Sequence, residues 1–292
     1  MTKNKKNNKY LVVLAGSPRG GKKTWDSLNR NVLKPLNADL AICTDLWNEN
    51  QILSDVAKYK WIVGPFKNYE SYYEEKFQGS WKTYFNSGHD TGLYSSGLIH
   101  FLFKDIIKNS YLDNILDYEY LIYSRFDQYY VSEHPEAETD KILIPKGEDY
   151  FGVCDRHAIL PTKYAYDFLD ICSYIDSDKA LQEIPEFNNC ETTFKNHLQH
   201  SNLLEKVKRI DRIQFTSSLK NDETNWRIPK YKVFLYKDLM IKYPDEFIDG
   251  IKNSIKINSF LQYFLKEPIL TTNYLYLKIR RSLGKLNSTL KF

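Results

Sequence analysis

Only four cysteines occur in the 292 residues, Cys43, Cys154, Cys172 and Cys190, and no two of them form a Cys-x-x-Cys pair. That scarcity argues against a disulfide framework or a zinc ribbon, and it leads us to expect buried free thiols in a reducing compartment. Long apolar runs are missing too: Tyr10 to Ala15 is far shorter than a signal-peptide core or a membrane span, so a cytoplasmic protein is expected. There is no internal repeat and no long linker. Acids are absent from both ends. Lys3, Lys5, Lys6 and Lys9 at the start, and Lys278, Arg280, Arg281, Lys285 and Lys291 at the finish, together exceed the net charge of +4. The body between them is therefore acidic, which excludes a uniformly basic nucleic-acid surface, and no nucleic-acid partner is expected. Basic ends do suit an anionic membrane surface.

The chain has much to fold with. A content of 42% apolar and 15% aromatic residues excludes a disordered protein. The length suits one large α/β domain with an appendage, read as a flexible basic N-terminus (1–9), an α/β domain (10–235) and a C-terminal helical region (236–292). Tyr10 to Ala15, Ala38 to Asp45 and Lys60 to Pro65 read as strands, with a helix from Trp25 to Leu36 after the first. This βαβ alternation predicts a mostly parallel sheet with right-handed crossovers. Further helices are expected over Leu98 to Ser110, over Lys163 to Ile175 and from Cys190 through His200. Lys141 to Ile144, Tyr150 to Leu160 and Arg209 to Phe215 read as later strands, and the remainder to about Leu265 reads as helical. His89 and His100 are expected to be solvated or satisfied in the core. Asn221 to Arg227 is a polar loop ending in Trp226-Arg227. The tail from Tyr274 to Phe292 spaces Leu275, Ile279, Leu283, Leu286 and Leu290 as one helical face with cations between them. Such a pattern fits a membrane-interfacial helix, or a helix docked on the body with a solvated basic face.

Three segments carry candidate chemistry. Gly16-Ser17-Pro18-Arg19-Gly20-Gly21-Lys22-Lys23-Thr24 follows the first strand and opens a helix, where backbone N–H groups and the helix dipole favour an anion. It resembles a Walker A loop, yet Lys23 stands where the magnesium-binding Ser or Thr belongs. It is also similar to the sulfonate-donor loop of sulfotransferases, with a Lys pair in place of the Ser/Gly-Thr core. The second segment, Leu121 to Tyr130, is an apolar run that ends in Arg125, Asp127 and Gln128, as a buried strand does when it delivers polar groups to a site. The third is the triplet Asp155-Arg156-His157, which would be costly to bury without partners and so should line a cleft or pair internally, for instance as an Asp155-Arg156 ion pair. Glu191, early in its helix, suits a capping role or a place in the site.

Taken together, Gly16 to Arg19, the Tyr-Ser-Arg-Phe-Asp-Gln of residues 123–128, and Gly147-Glu148-Asp149-Tyr150 with Asp155-Arg156-His157 resemble the glycosyltransferases of capsule and lipopolysaccharide assembly that have a GT-A-type nucleotide-sugar fold. The resemblance implies an α/β, GT-A-like (Rossmann-like) central sheet, mostly parallel and flanked by helices, with a C-terminal helical appendage. It also implies a UDP-sugar donor, a divalent cation (Mn2+ or Mg2+) on its diphosphate, and a glycan or lipid-linked acceptor. On that implication Gly16, Ser17, Arg19, Thr44, Asp45 and Arg125 bind the nucleotide, Asp127 and Asp149 hold the metal, and Asp155, His157 and Glu191 serve catalysis or the acceptor. The metal-binding Asp-x-Asp of such enzymes is altered here: Arg125 replaces the first acid and could itself neutralise the diphosphate. A sulfotransferase-like enzyme and a non-catalytic carbohydrate- or membrane-binding protein, the latter suggested by 23 Tyr and 16 Phe, remain open beside it.

Overall fold

The computed structural model describes residues 9–45, 53–66, 68–87, 96–222 and 238–289. They form ten strands: β1 (Tyr10–Ala15), β2 (Asp39–Thr44), β3 (Tyr59–Ile62), β4 (Tyr120–Ser124), β5 (Gln128–Tyr130), β6 (Ile142–Pro145), β7 (His157–Pro161), β8 (Val207–Ile210), β9 (Gln214–Leu219) and β10 (Leu239–Ile241). The chain divides into two compact units. The first comprises residues 1–18, 33–126 and 135–210, and the second comprises 19–32, 127–134 and 211–292.

The first unit is α/β, with a seven-stranded sheet in the order β3-β2-β1-β4-β7-β6-β8, flanked by helices. Only β7 is antiparallel to its neighbours β4 and β6; the remaining pairs are parallel. This arrangement is compatible with a Rossmann-like fold. Every residue of β1 and β4 is buried, which explains why both read as unbroken apolar runs instead of alternating patterns. The helix Ser96–Leu116 packs on β1 and β2 and contributes Phe101 and Leu102 to a core that also holds Tyr73, Trp81, Tyr84 and Phe85. The cysteines are all buried and free.

The second unit is built on the antiparallel sheet β10-β9-β5. Its core includes Tyr129, Phe215, Phe247, Ile251, Leu270 and Leu277. Strand β9 is Gln-Phe-Thr-Ser-Ser-Leu, buried along nearly its whole length, and the hydroxyls of Thr216 and Ser217 find partners. Thr24 Oγ1 and Ser217 Oγ are 2.9 Å apart, and Gln128 Nε2 donates to Thr216 Oγ1 at 3.1 Å. Arg212 and Glu246 form a fully buried ion pair at 3.2 Å, and Glu246 Oε2 also accepts from the Thr216 N–H at 2.7 Å. Three helices close the chain, Pro244–Asn258, Phe260–Lys266 and Pro268–Thr289.

Four expectations are corrected. The run Leu121 to Tyr130 is β4, a turn, and then β5 in a different sheet. Arg209 to Phe215 is not one strand, because β8 ends at Ile210 and β9 starts at Gln214 in the other sheet. In Tyr150 to Leu160 only His157–Pro161 is a strand, since Tyr150 and Phe151 adopt positive φ angles of 41° and 71° that no strand permits. The region before Leu265 also contains a strand, β10. His89, Trp226-Arg227, residues 1–8 and residues 290–292 lie outside the described residues.

Candidate functional site

In the first unit, strand order sets the site. From β1 the chain passes to β2 and β3 on one side, then returns to β4 on the other, so the order reverses between β1 and β4. Ligands of open α/β sheets bind beyond the carboxyl ends of the strands at such a reversal. Here β1 delivers Gly16 and Ser17, β2 delivers Thr44 and Asp45, and β4 delivers Ser124 and Arg125. Because β7 is antiparallel to β4 and pairs His157 with Ser124, it starts at that edge and brings Asp155, Arg156 and His157 to it. Gly16 has φ 107°, open to glycine alone without strain, and its N–H donates to Cys43 O at 3.0 Å. Asp45 Oδ2 accepts from the Tyr69 hydroxyl at 2.7 Å.

Glu191 completes the cluster. The helix Cys190–His200 is capped by Asn189, whose Oδ1 accepts from the Thr192 N–H while Thr192 Oγ1 accepts from the Asn189 N–H, both at 2.9 Å. Capping therefore falls to Asn189, and Glu191 is left to accept from Arg156 Nη2 at 3.2 Å. Arg156 thus has a buried acid as its partner, which meets the requirement that a buried Asp155-Arg156-His157 triplet pair internally or line a cleft. Burial, and then the charge of Asp155, push the Glu191 carboxyl up to about 7 against the pull of Arg156. His157 Nδ1 lies 3.1 Å from Ser124 Oγ, deep at the mouth of the strands.

Lys104, in the middle of the helix Ser96–Leu116, was not anticipated. It is fully buried, its ammonium 3.9 Å from the Phe194 ring centre, 4.9 Å from Phe168 and 5.1 Å from Tyr123. Its Nζ has no hydrogen-bond partner among the described residues. Burial pulls its pKa down to about 8, while Asp155 opposes that shift. Tyr123 is raised first by burial and then by Asp155, and Arg125 acts the other way. Asp155 thus sits in the electrostatic reach of Lys104, Glu191 and Tyr123. A lysine in an apolar helix reads as a solvated face; only Phe168 and Phe194, from remote elements, reveal otherwise.

The loop from β6 to β7 carries unusual backbone. Gly147, Glu148, Tyr150 and Phe151 all have positive φ, three of them residues that disfavour it. Arg209 anchors this loop by donating to Pro145 O at 2.6 Å and to Asp149 Oδ1 at 2.7 Å, and the Cys154 N–H donates to the same Oδ1 at 3.1 Å. At Gly152 a Cβ would lie 2.0 Å from Glu191 O, so glycine is required for the loop to lie against the helix start. The loop thereby holds Phe151, 76% exposed, stacked on Phe187 at 4.9 Å.

The second unit holds Arg19 and Asp127. Asp127 is buried, and Arg19 Nη2 donates to its Oδ2 at 3.2 Å. The helix Gly21–Leu28 starts beside them, but its N-terminus already meets a carboxylate of the chain. The Gly20 N–H donates to Asp222 Oδ2 at 3.2 Å, and Leu219 N–H donates to the same oxygen at 2.8 Å. Lys23 pairs with Asp238 at 2.8 Å. The two expected metal ligands, Asp127 and Asp149, each face an arginine, and no group of three or more His, Cys, Asp or Glu side chains that could hold a metal ion occurs among the described residues. As arranged, these carboxylates do not fit a divalent ion. No protein-family model matches the chain, and no curated protein matches it either.

Proposed function

We propose that the protein is a glycosyltransferase that moves a sugar from a nucleotide-sugar donor to a glycan or lipid-linked acceptor, with a GT-A-like sheet as its scaffold. One observation carries the reading: Asp155, Arg156, His157 and Glu191 are gathered and buried, with Glu191 bonded to Arg156 and within the charge of Asp155, at the carboxyl edge where the strand order reverses. In a direct displacement the acceptor hydroxyl forms a bond to the anomeric carbon, the bond to the diphosphate breaks, and the hydroxyl proton passes to a base. A carboxylate poised at about 7 suits that base, and Glu191 is the first candidate, with Asp155 tuning it. The leaving diphosphate gains negative charge, which a guanidinium fork stabilises, and Arg125 at the end of β4 is assigned that role. The exposed Phe151–Phe187 stack offers an aromatic face to an acceptor sugar.

The test is a thermal-shift panel of nucleoside diphosphates, with uridine diphosphate first, run with and without manganese. A rise in melting temperature with a nucleoside diphosphate supports the reading. A rise with adenosine 3′,5′-bisphosphate alone would instead favour a sulfotransferase-like enzyme. Binding of glycan with no nucleotide response would favour a non-catalytic carbohydrate-binding protein.

A further inference from the structure

The outer surface of the C-terminal helices is apolar where a water-facing surface should be polar. On the helix Phe260–Lys266, Phe260, Leu261, Phe264 and Leu265 occupy one face at i, i+1, i+4, i+5 spacing and are all exposed, Leu261 by 67% and Leu265 by 72%. Only Tyr263 of this helix is buried. Ile257 precedes the patch and Ile269 follows it, both exposed.

The helix Pro268–Thr289 adds a second row. At about 100° per residue, Leu270, Tyr274 and Leu277 share one side and are buried in the second unit's core. Ile269, Tyr276, Ile279 and Leu283 fall within about 80° of one another on the opposite side, and all are exposed. The helix is thus docked on the unit, yet its outer face is an apolar stripe and not the solvated basic face that docking alone leads one to expect. Arg280 borders the stripe on one side, and Lys278 lies beyond Leu275 on the other.

Two occupants suit such a surface, a lipid bilayer or a second copy of the chain. The spacing of Ile269, Thr272, Tyr276, Ile279 and Leu283 would serve a coiled-coil seam. Charge decides against it. From Pro268 to Phe292 the chain carries Lys278, Arg280, Arg281, Lys285 and Lys291 and no acid; Arg281 is paired with Asp245 of the helix Pro244–Asn258, while Lys256 and Lys266 are exposed on the neighbouring helices. A second copy would set cations against cations, whereas an anionic headgroup layer complements them. The four apolar side chains of Phe260–Lys266 also have no place in a coiled-coil seam, but they match the depth to which an interfacial helix sinks its apolar face.

We propose that residues 257–283 form a docking surface for an anionic lipid bilayer, with Phe260, Leu261, Phe264 and Leu265 inserted among the acyl chains and Lys266, Lys278 and Arg280 at the headgroups. The surface lies within the second unit, so this inference stands independently of the sugar-transfer reading. The test is flotation of the full chain with vesicles of phosphatidylcholine alone, or with phosphatidylglycerol added, at low and high salt. Binding is expected to the anionic vesicles and to weaken with salt. The double variant Leu261→Ser, Leu265→Ser should bind at least about tenfold more weakly, with its melting temperature unchanged because both side chains are exposed. In the variant Leu261→Trp the new indole should be quenched by brominated acyl chains, which separates insertion from adsorption. Absence of binding to anionic vesicles, equal binding by the double variant, or an unquenched indole would each overturn the proposal. So would a concentration-dependent dimer that Ile279→Asp abolishes.

Discussion

Arg156 and Glu191, 35 residues apart in sequence, meet at 3.2 Å in a buried ion pair whose carboxylate is nevertheless hard to ionise. Burial and Asp155 outweigh the arginine, so the folded protein holds a proton on Glu191 up to about pH 7, well above the ordinary 4.5.

That imbalance fixes a sign. A carboxyl raised by folding contributes stability that is fully present below about 4.5 and is lost as pH rises through about 7. Glu191→Gln removes this slope while keeping an acceptor for Arg156. Urea unfolding at pH 4.5, 6 and 8 should show the variant equal to the parent at the acid end. At pH 8 it should be more stable by roughly 1–3 kcal/mol. Parallel pH profiles for the two proteins would contradict the assignment.

Lys104 gives a second titration of the opposite charge type. Its folded pKa of about 8 lies below the ordinary 10.5, so the buried ammonium costs stability at neutral pH and ceases to do so as pH rises from 8 toward 10.5. Lys104→Met should therefore be more stable than the parent at pH 7, and the gap should shrink by pH 10. Thermal melts across that range measure it. A gap that stays constant would show that the ammonium is not the source of the cost.

Gly152→Ala should be among the most damaging small substitutions in the chain. Its Cβ would fall 2.0 Å from a backbone oxygen of Glu191, which cannot swing aside as a side-chain tip can. A loss of about 1–3 kcal/mol or more is expected, together with displacement of the Phe151–Phe187 stack. Gly79→Ala is a suitable control for space, because nothing lies within 4 Å of a Cβ there, although its φ of 112° adds strain of its own. Gly152 carries no positive φ of its own, so a loss there no larger than at Gly79 would show that the close approach to Glu191 is not what makes glycine necessary.

Asp127→Asn tests the second unit. The substitution removes the charge that faces Arg19 but keeps the volume, and because Arg19 reaches solvent the expected loss is about 1–3 kcal/mol, less than for a fully buried pair. Urea unfolding of the two proteins measures it, and unchanged stability would show that the Arg19–Asp127 pair contributes nothing.

How far these groups could be read in the sequence depended on what makes each one visible. Strands β1, β2 and β4 were legible because full burial demands unbroken apolar runs, and their polar ends at Gly16, Asp45 and Arg125 followed. Asp155, Arg156 and His157 stood out as charges too costly to bury idly, and Glu191 as a carboxylate at a helix start, suited to capping or to a place in the site. Strand β9 was not found as such, because Gln214, Thr216, Ser217 and Ser218 look like loop residues until Thr24 and Gln128 are brought to them. The roles of Arg209 and Lys104 were hidden for the same reason: their partners, Asp149 in one case and Phe168 and Phe194 in the other, come from distant segments. The left-handed turn at residues 147–151 gave little local sign, since Glu148, Tyr150 and Phe151 ordinarily avoid such angles.

The interleaving of the two units bears on synthesis. The chain passes from one to the other between residues 18 and 19, 32 and 33, 126 and 127, 134 and 135, and 210 and 211. A ribosome that has released Ile210 has delivered every strand of the seven-stranded sheet, whereas β9, β10 and the three closing helices have yet to emerge. The nascent protein thus has a stage at which Arg19 to Val32 and Asp127 to His134 wait, exposed, for the partners that will cover them. No single proteolytic cut or truncation can yield either unit alone, so any laboratory dissection of this protein has to proceed by point substitution.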